Sequence, residues 1–272
     1  MIVSIHAIDW YVEKQGEGIP LLCIHGLYAD MRLMQGALEH GDIQLEGIQR
    51  IYIDLIGMGQ TKAKEYLTAD QLLGELVLLV HELIGNRPFL MAGESYGGYL
   101  AMGLMAHFHQ QVKGLFLLCA PVIASKVSRN LPEKQIAIYN DDLNSVPKHE
   151  LTEFLGLSTH LDAKTFRRYK DQVLCGIRSC DMDFTKHLLN HGFSLADESQ
   201  FANFLQDTAV TFLCGRMDHV VGYQDSYRLY LKLRHAEYFV LDNVGHHLQI
   251  EDPRSFNMLF DRFIRKSLKK KL

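Results

Sequence analysis

An α/β fold with a mostly parallel central sheet flanked by helices, interrupted by a helical lid insertion, is what this sequence predicts. Three observations lead there. Short runs that are apolar on both faces alternate with segments of helical period from the N-terminus to about residue 121. The alternation stops between about 122 and 206, where charged and apolar residues mix at helical spacing. It then resumes to the end of the 272-residue chain. The expected organisation is a core made of 1–121 and 207–272, with 122–206 inserted as a helical lid or cap.

Taken in order, Val3–Ala7 and Asp9–Glu13 read as two strands of a hairpin, which Gly16 and Gly18 end. Leu21-Leu-Cys-Ile24 is the first buried parallel strand, giving way to a loop at His25-Gly26-Leu27-Tyr28. Arg32–Glu39 has helical character. Arg50–Ile53 is a second buried strand that ends at Asp54. The loop Gly57-Met-Gly59 after it lacks the third glycine of a dinucleotide fingerprint, because that place is Lys62. Ala69–Ile84 carries apolar residues at helical spacing, and Gly85-Asn86 stops it. Pro88–Ala92 is a strand, Gly98–His107 a helix, and Val112–Cys119 a strand that Ala120-Pro121 terminates. After the insertion come a strand at Thr208–Cys214, a helix from Gly222 to Leu233, a strand at Glu237–Leu241 and a last helix from Glu251 to Lys266, with Pro253 in its first turn.

Bulk properties exclude several functions. A formal net charge of −4 gives no basis for nucleic-acid binding or for an anionic membrane as partner. The basic C-terminus (Lys266, Lys269, Lys270, Lys271) reads as a solvated helix end. The five cysteines form no C-x-x-C, and Cys23, Cys119 and Cys214 sit in apolar runs as small core residues. That usage suits a reducing compartment. The N-terminus lacks the basic and apolar regions of a signal peptide, and the longest uncharged apolar stretch, Gly114–Ala124, is far short of the roughly 18 residues of a membrane span. The expected location is the cytoplasm.

The chemistry centres on Gly93-Glu94-Ser95-Tyr96-Gly97. It lies between a strand and a helix, so Ser95 stands on a sharp turn with its hydroxyl above the sheet edge. Glycine on either side keeps Cβ atoms out of the close contacts such a turn makes. Two further loops follow buried strands and converge on the same edge: Gly215-Arg-Met-Asp218 and Gly245-His246-His247. The order is Ser, Asp, His. Asp225 and Asp242 are alternatives for the acid, and His247 for the base. His25 is expected to bond backbone and Asp54 to organise its loop. His187 and His191 share a helix face at i, i+4, but no third ligand accompanies them, so no metal site is expected.

With His25-Gly26 and Asp54-Leu-Ile-Gly-Met-Gly59 added, five elements in order from residue 25 to 246 resemble the α/β-hydrolase superfamily, and in particular its lid-bearing, carboxylesterase-like serine hydrolases. Ile56 departs from the pattern, standing where many members have proline. The resemblance implies an α/β-hydrolase fold and a Ser95–His246–Asp218 triad. It also implies an oxyanion hole made by the backbone N–H groups of Leu27 and Tyr96. A serine at the elbow sets aside the epoxide hydrolases and haloalkane dehalogenases, which place aspartate there. The expected activity is hydrolysis of a carboxylic ester, thioester or related acyl bond of a small molecule through an acyl-serine, without cofactor. C–C bond hydrolysis or lyase chemistry on the same triad, and ligand sensing without turnover, are the alternatives. In the insertion, Phe154, Leu155, Leu157, Phe166, Phe184, Leu188, Leu189 and Phe193 are expected to form the lid's own core or to line a pocket. Arg167, Arg168 and Arg178 are expected to be solvated or to meet a substrate carboxylate.

Overall fold

The computed structural model describes residues 1–140, 142–143 and 146–269. The last two lysines of the basic C-terminus, Lys270 and Lys271, lie outside the described residues. The main sheet has eight strands, β1 (Ile2–Ile5), β2 (Ile8–Gln15), β3 (Ile19–Ile24), β4 (Ile48–Ile53), β5 (Phe89–Glu94), β6 (Val112–Leu118), β9 (Val210–Gly215) and β10 (Ala236–Leu241). Their order across the sheet is β1-β2-β4-β3-β5-β6-β9-β10. The first hairpin pairs antiparallel and docks antiparallel on β4, whereas every pairing from β4 to β10 is parallel.

Burial explains the strand sequences. Every residue of β5 and of β9 is buried, and β3 is buried from Pro20 onward. Strands covered on both faces carry apolar side chains at every position rather than at alternate ones. On one face pack α2 (Ala69–Ile84) and α3 (Tyr96–Phe108), through Leu72, Leu76, Leu79, Tyr99 and Met102. On the other pack α1 (Arg32–Leu38) and α11 (Pro253–Lys269), through Met34, Leu38, Phe256, Phe260 and Phe263. Thr68 and Gln71 form a reciprocal capping box that starts α2, and Gly85, at φ +64°, ends it. Pro253 is the first residue of α11, where a missing N–H costs nothing.

Between β6 and β9 the chain holds α4 (Lys148–Leu157), α5 (Ala163–Tyr169), α6 (Cys175–Ser179), α7 (Met182–His191) and α8 (Phe201–Phe204). A short parallel pair, β7 (Ile138–Tyr139) with β8 (His160–Leu161), also forms there. Two residues per strand are too few to show as a period in sequence. The segment has no single core. Phe154, Phe166 and Tyr169 cluster with Ala29, Leu33 and Ile250, whereas Phe184, Leu188, Leu195, Phe201 and Leu205 join the main cluster, which also holds residues of α2 and α3. Part of this segment's apolar surface is therefore continuous with the sheet's own core.

Candidate active site

The turn after β5 carries the first side chain. Ser95 has φ +49° and ψ −122°, a conformation costly for a residue with a Cβ. Three hydrogen bonds enforce it. Ser95 N donates to Leu118 O at 2.9 Å, extending the parallel ladder, while Ser95 O accepts from Gly98 N and Tyr99 N and so opens α3. The chain must reverse within these few residues. A Cβ at Gly93 would lie 2.5 Å from Gly98 N, and one at Gly97 would lie 2.3 Å from Ile24 O. Both glycines are thus required by backbone rather than by side-chain neighbours.

The loop after β9 brings Asp218 to the same edge. Arg216 N donates to Leu241 O and Met217 N to Val244 O, which ties this loop to the chain after β10. Asp218 is fully buried. Its Oδ1 accepts from Val220 N at 2.9 Å and Val221 N at 3.0 Å. Its Oδ2 is 2.9 Å from Nδ1 of His246, whose Nε2 is 3.0 Å from Ser95 Oγ. The loop bearing His246 is fixed by Glu251, the last residue of α10 (Leu248–Glu251). Its buried carboxylate accepts from Gly245 N at 2.6 Å, and from Thr159 N at 2.7 Å and Thr159 Oγ1 at 2.6 Å in the inserted segment.

Charge and burial set the protonation states. Burial opposes a charge on His246, but the Asp218 carboxylate, its hydrogen bond and the nearby Glu94 outweigh that and hold the imidazole up to about 9. Burial likewise opposes ionisation of Asp218, and His246 with the two backbone N–H groups more than reverses it, leaving the carboxyl below its ordinary value. His247 is a different case. It is buried against Tyr169, neither ring nitrogen has a hydrogen-bond partner among the described residues, and burial followed by the His246 charge pushes it down to about 3. His247 is therefore a neutral packing residue.

The other sequence candidates are accounted for separately. Asp225 is occupied by Asn130 and Arg228, and Asp242 is exposed beside Arg216. His25 Nδ1 lies 2.7 Å from Gly26 O and its Nε2 accepts from Leu55 N at 3.0 Å, so it staples two loops. Asp54 accepts from Met31 N and Gln60 N. His187 stacks on Tyr66 and on His191, and among the described residues no group of three His, Cys, Asp or Glu side chains is placed to hold a metal. Tyr96 N is the first N–H of α3 and has no acceptor within the helix. Leu27 lies in the loop after β3, and both residues line the cavity above Ser95.

That cavity measures about 1070 Å³ and reaches Ser95 and His246 at its base. This is just above the usual range for small-molecule sites, about 300–1,000 Å³. The segment between β6 and β9 contributes apolar Leu157, Val173, Ile177, Met182, Leu189 and Phe193 to its wall, together with the polar or charged Lys126, Arg129, Glu153, Asn190 and His191. Of the apolar insertion residues singled out by sequence, Phe154, Phe166, Phe184 and Leu188 are buried away from it and Leu155 is exposed. None of Arg167, Arg168 and Arg178 lines it. Arg168 donates to Ile250 O, and Arg178 pairs with Glu150. Sequence reasoning missed two cations that do line it, Lys126 and Arg129, the latter held by Ile123 O, Ala124 O and Val220 O. It also gave no role to Glu94, whose place beside Ser95 in the elbow was its only signal.

Comparison with known proteins agrees with this architecture. A family model described as serine aminopeptidase, S33, matches residues 20–253. The chain is similar to the abhydrolase domain-containing protein abhd-5.2 of Caenorhabditis elegans, 23% identical over 262 residues that cover 88% of this chain and 57% of that protein. It therefore spans little more than half of that relative's length. Among solved structures, an α/β superfamily hydrolase from Oenococcus oeni PSU-1 superposes with a TM-score of 0.89 at 29% identity, covering 96% of each chain. A thermophilic esterase from Thermogutta terrifontis superposes with a TM-score of 0.69 at 19% identity, covering 96% of this chain and 94% of that one, a likeness of fold.

Proposed function

Because the chain belongs to the serine aminopeptidase S33 family of α/β hydrolases, we propose that it cleaves a carboxylic ester, thioester or related acyl bond of a small molecule through an acyl-serine on Ser95. The observation that carries this reading is the unbroken chain Asp218 Oδ2–His246 Nδ1 at 2.9 Å and His246 Nε2–Ser95 Oγ at 3.0 Å, at the floor of a cavity.

Ser95 Oγ attacks the acyl carbon and its proton passes to Nε2 of His246. Asp218, anchored by Val220 and Val221, keeps the proton on Nδ1 and stabilises the imidazolium. The carbonyl oxygen, now negative, accepts from the N–H groups of Leu27 and Tyr96, each such donor contributing about 3 kcal/mol to the transition state. Collapse expels the alcohol or thiol, which takes the proton from Nε2. Water then repeats the sequence and releases the acid. Residues 122–206 serve as a lid, supplying the wall that faces the acyl or leaving group. The cavity's mainly apolar lining favours an uncharged, apolar acyl or alcohol part.

The test is turnover of short p-nitrophenyl esters by the wild type and by Ser95→Ala. The wild type is expected to hydrolyse them and the alanine variant to lose at least about a thousandfold in kcat/KM. Equal rates in the two proteins would refute the assignment.

A further inference from the structure

Glu94 ends β5 and immediately precedes Ser95. It is 1% exposed, and its Oε1 has no hydrogen-bond partner among the described residues. That oxygen lies 3.7 Å from Nε2 of His246. The other oxygen packs on the loop after β3, where a Cβ at Gly26 would sit 2.2 Å from Oε2. A buried carboxylate with an unpartnered oxygen is costly, and an apolar residue would fill the end of β5 without that cost. The hydrolytic steps above leave Glu94 without a task.

Its position supplies one. Four charged or titratable groups surround His246: Asp218 from the loop after β9, Glu94 from β5, Arg129 from the segment after β6, and His247 next in sequence. Arg129 opposes a positive imidazole and His247 stays neutral. Asp218 faces Nδ1, and Glu94 faces Nε2, the nitrogen that takes the serine proton. In the resting site, 3.7 Å is too long for a hydrogen bond, and Nε2 is directed to Ser95 instead. Once that nitrogen carries the serine proton, the carboxylate is close enough for strong Coulombic attraction.

Resting on the reading of His246 as the base, we propose that Glu94 is a positioning residue for acylation, holding the His246 imidazolium from the Nε2 side while Asp218 holds it from the Nδ1 side. The proton lost by Ser95 Oγ stays on Nε2 and Glu94 takes none. Glu94 itself is pushed up to about 7, by burial first, so it is charged through the alkaline range in which His246 gives up its proton.

This role has a signature that a purely structural one lacks. Below the His246 midpoint the imidazolium already exists in the free protein, so Glu94 stabilises the resting and transition states alike. Above the midpoint it stabilises the transition state alone. Removing its charge must lower the midpoint of the acid limb of kcat/KM and lower the alkaline plateau by the same factor, with the two profiles merging at low pH.

The experiment is the pH profile of kcat/KM for an uncharged ester in the wild type, Glu94→Gln and Glu94→Met, with Glu94→Asp as rescue. The midpoint is expected to fall by about one to three units in both uncharged variants. The plateau is expected to fall about tenfold to a thousandfold to match, with Glu94→Asp lying nearer the wild type. A lower plateau at an unchanged midpoint, or no change in either, overturns the proposal while leaving the Ser95 reading intact. Turnover that survives Ser95→Ala overturns both.

Discussion

Replacing Asp218 by asparagine probes how the loop after β9 controls the tautomer of His246. Asp218 Oδ1 accepts two backbone N–H groups, from Val220 at 2.9 Å and Val221 at 3.0 Å, and Oδ2 faces Nδ1 of His246. An asparagine at this site has one acceptor oxygen. Turning its NH2 toward the two backbone donors leaves both unsatisfied in a buried site, which costs on the order of 2 kcal/mol or more. The amide oxygen therefore stays with Val220 and Val221, and the NH2 faces His246. Nδ1 must then accept, Nε2 must carry the proton, and that proton points at Ser95 Oγ. The imidazole can no longer take the serine proton. The variant also loses the charge that steadies the imidazolium. Together these predict a loss of about 10⁴ in kcat, or about 5 kcal/mol of transition-state stabilisation, for Asp218→Asn. Steady-state hydrolysis of a p-nitrophenyl ester measures it, with far-UV circular dichroism confirming the fold. A folded Asp218→Asn protein within about tenfold of the wild type would show that the tautomer argument is wrong.

Other expectations follow from the same geometry. With His246 held up to about 9, the acid limb of kcat/KM should have its midpoint near that value, read from a pH–rate profile. The same rise, from 6.5 in the unfolded chain to about 9, makes the protonated pair stabilising by on the order of 3 kcal/mol. That contribution is complete below the unfolded value and lost as pH rises through the folded one. Denaturant unfolding of the wild type and His246→Gln should therefore differ most below about pH 6.5, progressively less from there to about pH 9, and least at strongly alkaline pH. Gly97→Ala places a methyl 2.3 Å from Ile24 O and 2.5 Å from His25 O, backbone atoms that cannot step aside. It should cost about 3 kcal/mol in thermal or urea unfolding and more than about a hundredfold in kcat/KM. Glu251→Ala strands the N–H groups of Thr159 and Gly245, and should lower unfolding free energy by on the order of 3 kcal/mol while loosening the loop that presents His246.

The sequence showed most of what backbone topology controls. Ser95, Asp218 and His246 each follow a run that is apolar on both faces, and parallel strands deliver the loops after them to one edge. Glycine at 93 and 97 marked the turn because only backbone crowding requires it there. What depends on side-chain direction was not legible. His246 and His247 are adjacent and identical in type, and it is the turn after β10 that points one at Asp218 and the other at Tyr169. Phe184 and Leu188 read as part of a lid core or a pocket wall, yet they join the core cluster of the sheet, α2 and α3, because helical period reveals an apolar face and not the surface it meets. Arg129 was passed over in the sequence and Arg168 was singled out. One lines the cavity and the other caps Ile250, a difference made by contacts about 80 to 90 residues away in sequence.

The central claim is that Ser95 is a nucleophile activated by His246. Incubation with a fluorophosphonate, followed by intact-mass and peptide mass spectrometry, tests it most directly. The account predicts one phosphonyl group per chain, located on Ser95, absent from Ser95→Ala and formed far more slowly in His246→Gln. A folded wild-type protein that takes up no label, or a label that persists in Ser95→Ala, would contradict it.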